Sequence, residues 1–131
     1  MITRNEIFSY VKEKYGTMPD HPFEKSPNTT VLRHPAGKWY ALIMDVARNK
    51  LGLYGEGKEA VVNVKADPDM IGTLRKEEGI LPAYHMNKGH WLTVVLDSPV
   101  SKKEFYELID TSYILTKSKY WKKLSRRSYL E

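Results

Sequence analysis

The sequence predicts an α+β fold, an antiparallel sheet with helices packed on one face, and three observations lead there. Two helical segments open with capping boxes, Thr3-x-x-Glu6 and Ser101-x-x-Glu104, and a third opens with Asp67-Pro68. The β-rich runs between them are joined by short turns, as in adjacent antiparallel strands. At 131 residues, about two-fifths of them apolar, the chain suits one domain with a core of its own.

In chain order, Phe8, Val11 and Tyr15 at helical spacing predict a first helix over roughly 4–15, stopped by Gly16. Residues 17–29 hold three prolines and predict a loop. Thr30 to His34 and Trp39 to Val46 flank Pro35-Ala36-Gly37-Lys38, which predicts a first hairpin. The stretch 47–58, rich in Gly, Lys and Asn, predicts a loop or irregular hairpin before a strand over Ala60 to Lys65. Asp67 then caps a helix expected to end near Gly79. Residues 79–97 follow, with Tyr84, His85, Asn87, Lys88, His90 and Trp91 around an expected turn at Asn87-Lys88-Gly89. They predict a tight hairpin with a contact surface at its tip and an apolar strand from Trp91 to Leu96. The last helix has a core face of Phe105, Leu108, Ile109 and Ser112 and runs to about Thr116.

The net charge of +5 is unevenly distributed. Residues 1–116 carry 15 Lys/Arg and 15 Asp/Glu, whereas 117–131 carry Lys117, Lys119, Lys122, Lys123, Arg126 and Arg127 against Glu131 alone. A basic segment interleaved with Tyr120, Trp121 and Tyr129 suits phosphates and bases; the alternative is a last helix that docks Trp121 and Leu124 on the core with its cations in water. The chain therefore divides into a domain over 1–117 and a basic C-terminal tail over 118–131. There are no cysteines, which excludes disulfides, thiolate zinc sites and a cysteine nucleophile. No apolar run is long enough to span a membrane and no apolar signal core opens the chain, so a cytoplasmic location is expected, with no membrane partner.

Gly52-Leu-Tyr-Gly-Glu-Gly57-Lys58-Glu59 approaches a phosphate-binding loop but puts Glu59 where a magnesium-ligating hydroxyl belongs, and strand rather than helix follows. His85 and His90 could meet across a hairpin near Asp97, yet no third metal ligand is evident. No nucleophile elbow or zinc-protease motif is present. The expectation is a domain without catalysis, cofactor or metal.

Val64-Lys65-Ala-Asp-Pro68, Gly79-Ile-Leu-Pro-Ala-Tyr84, His85-Met-Asn-Lys88, His90-Trp91-Leu-Thr-Val, Leu96-Asp97 and Ser112-Tyr113 together resemble the MmcQ/YjbR family, in order and over roughly residues 3–117. The resemblance implies a CyaY-like fold and a "double wing" DNA-binding motif. On that basis the expected partner is nucleic acid, duplex DNA first. Arg33, His34 and Lys38 would approach the backbone from one hairpin, and His85, Asn87, Lys88 and His90 from the other. Lys119, Lys122, Lys123, Arg126 and Arg127 of the tail would add affinity. The alternative is a small-ligand or protein-binding module using a cleft beside Tyr84, His85 and Trp91. The sequence leaves the oligomeric state open.

Overall fold

A computed structural model of the chain describes residues 1–117. The expected contacts at Lys119, Lys122, Lys123, Arg126 and Arg127, and the docking of Trp121, lie outside the described residues.

Helix α1 spans Arg4–Tyr15. Its capping box is complete: the Thr3 hydroxyl accepts from the Glu6 amide, and the Glu6 carboxylate accepts from the Thr3 amide. Gly16 ends the helix in the left-handed region, at φ 68°. Strands β1 (Thr30–Arg33) and β2 (Trp39–Ala47) form the first hairpin. A 3-10 turn at Arg48–Leu51 leads into the glycine-rich segment, and β3 (Lys58–Lys65) starts two residues before the expected strand. Here Glu59 is held by Arg48 across the β2–β3 connection.

Helix α2 covers only Pro68–Leu74, short of the expected end near Gly79. The five residues after Leu74 offer no apolar side chain to bury, so the chain leaves the helix through tight turns. Gly79, at φ 94°, lies against Ser98, where a Cβ would sit 2.5 Å from that side chain. Strands β4 (Ile80–Pro82) and β5 (Trp91–Val95) follow. They are joined not by a tight hairpin turn but by the longer segment 83–90. Helix α3 (Lys102–Leu115) closes the described chain.

All strand pairs are antiparallel, in the order β1-β2-β3-β5-β4. Alternation sorts the side chains onto two faces. Ile43, Val62, Val64, Leu92 and Val94 meet Ile7 and Val11 of α1, Ile71 of α2, and Phe105, Leu108 and Ile109 of α3 in the main core. The helices thus pack on one face. The other face carries a smaller cluster of Val46, Val61 and Val95, sheltered by Met44, Leu51, Leu53, Leu81 and Tyr84.

Polar contacts fix α1 to α3. Asp110 accepts from the hydroxyls of Tyr10 (2.7 Å) and Tyr15 (2.5 Å) and from Lys14 Nζ (2.8 Å). Burial alone would raise the Asp110 pKa; the donors outweigh it and hold the carboxyl below its usual range. Tyr10 stacks on Tyr106, and Tyr15 on Tyr113.

Candidate nucleic-acid interface at one end of the sheet

Register determines which loops are neighbours. Arg33 pairs with Trp39 at one end of β1–β2, Lys65 with Trp91 at the matching end of β3–β5, and Pro82 with Leu92 beside them. The turn 34–38 and the segment 83–90 therefore leave the same end of the sheet. Only β3 lies between β2 and β5, so the two connections are about 10 Å apart at their bases, two inter-strand spacings. The C-terminal end of α3 reaches the same place. Its Ser112 hydroxyl donates to the Tyr40 carbonyl (2.5 Å) and accepts from the Lys65 amide (2.8 Å), closing the gap where β2 and β3 part.

The first connection is tied inward. The amide of His34 donates to the Lys38 carbonyl and that of Gly37 to the His34 carbonyl, each at 2.8 Å, and Gly37 takes the φ of 98° that the turn needs. The His34 ring is buried, 2.8 Å from the Thr116 hydroxyl and against Tyr40 and Tyr113. Burial first, and then the charges of Lys117 and Lys38, lower its pKa, so the ring is neutral at neutral pH. This corrects the expected phosphate contact at His34, because a buried neutral imidazole packed on α3 is a structural element. Arg33 is also engaged. Its guanidinium pairs with Asp20 at 2.7 Å and lies 5.6 Å from the centre of the Trp39 ring, while its Nε is buried without a hydrogen-bond partner. Asp20 is itself fixed by two backbone bonds to Val31. Of the three residues expected on this hairpin, Lys38 alone is exposed.

The second connection is held from below and open above. Asn63 and Thr93 are fully buried on neighbouring strands. The Asn63 amide donates to the Tyr84 carbonyl (2.9 Å), the Tyr84 amide donates to the Thr93 hydroxyl (2.8 Å), and that hydroxyl donates to the Asn63 side-chain oxygen (2.5 Å). The ring of bonds fixes Tyr84 just before the chain turns. His85 then adopts φ 58°, unusual for a residue with a Cβ, and stacks on Tyr84 at 3.9 Å. Asn87 builds the turn. Its side-chain oxygen accepts from the Gly89 amide, and its carbonyl from the amides of His90 and Trp91. His85, Asn87, Lys88 and His90 are all exposed. Asn63 and Thr93 were missed by sequence reasoning. Each is a polar residue inside an apolar strand, which is the signal that could have found them.

Among the described residues, no three His, Asp or Glu side chains gather to hold a metal ion. No helix among them is long and apolar enough to cross a membrane.

Comparison with known proteins agrees with this architecture. The YjbR family model matches residues 12–115. The uncharacterized protein YyaQ of Bacillus subtilis is 51% identical over 118 residues, which cover 89% of this chain and all of that protein. The uncharacterized protein YjbR of Escherichia coli K12 is 38% identical over 53 residues, covering 40% of this chain and 45% of its own length. A Pseudomonas syringae protein solved by crystallography superposes with a TM-score of 0.85 at 46% identity, covering 88% of this chain and all of that one. A Deinococcus radiodurans protein described by the domain label DUF419 gives 0.68 at 28% identity, covering 91% and 81%. The chain belongs to the YjbR family.

Proposed function

We propose that this YjbR-family chain is a cytoplasmic nucleic-acid-binding protein, with duplex DNA as its first ligand and no catalytic step. The contact surface is the end of the sheet where both connections emerge. Lys38 approaches phosphates from the first. Lys88, His90, Asn87 and His85 approach from the second, where all four are exposed on a segment braced by Asn63 and Thr93. Lys119, Lys122, Lys123, Arg126 and Arg127 follow α3, which ends beside the first turn. The observation that carries this reading is the shared register, which sets exposed cations on two connections about 10 Å apart at one end of the sheet. Such contacts position a protein on a duplex and carry no base specificity.

The test is an anisotropy titration of full-length protein with labelled duplex DNA at about 50 mM and about 200 mM salt. Binding that weakens with salt, at a slope of about −0.9 per phosphate contacted, is the expected result. No binding at the lower salt defeats it.

A second reading has its own support. The left-handed backbone at His85 and its stack on Tyr84 cost conformational freedom, and such costs concentrate at sites that recognise a ligand. A small-ligand or protein partner at Tyr84, His85 and Trp91 becomes the leading reading if DNA fails and a ligand screen distinguishes His85→Ala from the parent.

A further inference from the structure

A groove of about 200 Å³ lies between α2 and α3. Its floor is apolar: Leu74 and Leu108 pack into the core, and Met70 is half exposed. Its rim is acidic, with Asp67 on one side and Glu104 and Glu107 on the other. Among the described residues, no Lys or Arg lines the groove or pairs with any of the three. A hydrogen bond with Glu77 first, then burial, then the charges of Glu77 and Glu107, push the Glu104 pKa up to about 7. These carboxylates do not gather closely enough to hold a metal ion, and they repel DNA phosphates. The groove therefore suits a cationic segment that also brings a large apolar side chain. Ile114, exposed on α3, continues the stripe of Glu107 and Thr111 towards the end of that helix.

We propose that this groove docks the chain's own tail, residues 118–131, with Trp121 and Leu124 on the apolar floor and the tail's cations against the acidic rim. The tail carries the complementary chemistry, five Lys and Arg residues interleaved with those two apolar side chains. It also starts in the right place. Thr111 lines the groove only four residues before the end of α3. Residues 118–131 reach about 46 Å when extended, several times the roughly 10 Å of α3 between Glu104 and Thr111. A tethered segment meets the groove at an effective concentration in the millimolar range, which a separate basic peptide or a second copy does not match. The docking stands apart from the nucleic-acid reading, and its consequence rests on that reading. One set of cations cannot serve the rim and the phosphates together. Duplex DNA therefore draws the tail off the groove, and docking lowers the affinity for DNA.

The chain has no cysteine, so Ser125→Cys carries a single nitroxide label on the full-length protein. Amide NMR signals of Met70, Leu74, Glu107 and Thr111 should broaden more than those of residues 85–90. Glu104→Gln with Glu107→Gln should restore them. Broadening spread evenly over the surface, or unchanged by the double substitution, overturns the docking. Spin-labelled protein mixed with unlabelled, isotope-enriched protein separates the occupants. Broadening of the enriched copy assigns the groove to a second copy's tail and overturns docking within one chain. Duplex DNA added to the labelled protein tests the competition, and the four signals should recover. The double variant should bind DNA about threefold more tightly than Glu24→Gln with Glu56→Gln, which makes the same charge change elsewhere. That factor corresponds to a tail docked roughly two-thirds of the time. DNA binding that leaves the four signals broadened overturns the competition. Selective broadening without any DNA binding upholds the docking and defeats the nucleic-acid reading. DNA binding without selective broadening overturns the docking alone.

Discussion

The two connections that leave the same end of the sheet use similar residues to opposite ends. The first contains His34 and Lys38 and is entered from Arg33 at the end of β1, and the second contains His85, Lys88 and His90. In the first, Asp20 neutralises the arginine, and Thr116, Tyr40 and Tyr113 enclose the histidine. In the second, the polar bonds run beneath the chain through Asn63 and Thr93 and leave the tip in solvent. A basic or aromatic hairpin is therefore not an interface by composition. Burial and prior pairing decide whether its charges are spent inside the protein or offered to a ligand.

The largest test of this contrast is stability. His34→Ala removes a buried ring, its bond to Thr116 and its contacts with two tyrosines, and should cost about 2–3 kcal/mol in urea unfolding. His90→Ala, at an exposed position, should stay within about 0.5 kcal/mol. Equal losses would remove the distinction between the two connections.

Thr93→Val comes next. It keeps the shape of the side chain but deprives the Tyr84 amide of its acceptor and the Asn63 oxygen of its donor. A loss of about 1–2 kcal/mol is expected, with amide shifts concentrated at residues 84–90. If the loop resonances do not move, the buried bonds do not brace the tip.

The pH dependence sharpens the contrast further. The His34 pKa is lowered in the fold, so below the unfolded value of about 6.5 the unfolded chain binds the proton more readily. His34 should then cost stability progressively as pH falls from about 6.5 towards its folded pKa, and nothing above that window. His34→Gln should flatten this part of the stability curve relative to the parent. An unchanged slope would mean the ring is not held neutral inside.

Much of the fold was legible. The Thr3/Glu6 box and Gly16 bound α1 within the chain itself, and the 3–4 spacing of Phe105, Leu108, Ile109 and Ser112 marked the buried side of α3. Both signals are local, so tertiary structure had little scope to override them. The end of α2 was less legible because capping at Asp67 says where a helix starts, and only the lack of apolar residues after Leu74 says where it stops. The site was half legible. The exposure of Lys88 and His90 followed from a turn, whereas the burial of His34 depends on Thr116, 82 residues away, and the pairing of Arg33 depends on Asp20 in a proline-rich loop. No local pattern encodes such partners. The second apolar cluster was hidden for a related reason: alternation in β2, β3 and β5 marks two faces, but only the assembled sheet shows that Leu51 and Leu53 fold over the outer one.

The central claim is about place as well as charge, so the most direct measurement compares two equal charge changes at opposite ends of the sheet. Lys88 lies on the 83–90 connection, and Lys50 lies on the 3-10 turn between β2 and β3 at the far end; both are exposed. Duplex DNA affinity is measured across a salt series for the parent, Lys88→Ala and Lys50→Ala. Lys88→Ala should weaken binding similarly for unrelated sequences and flatten the slope of log affinity against log salt by about 0.9, while Lys50→Ala leaves that slope near the parental value. Equal effects from the two variants would reduce the binding to net charge and contradict an interface at the hairpin end.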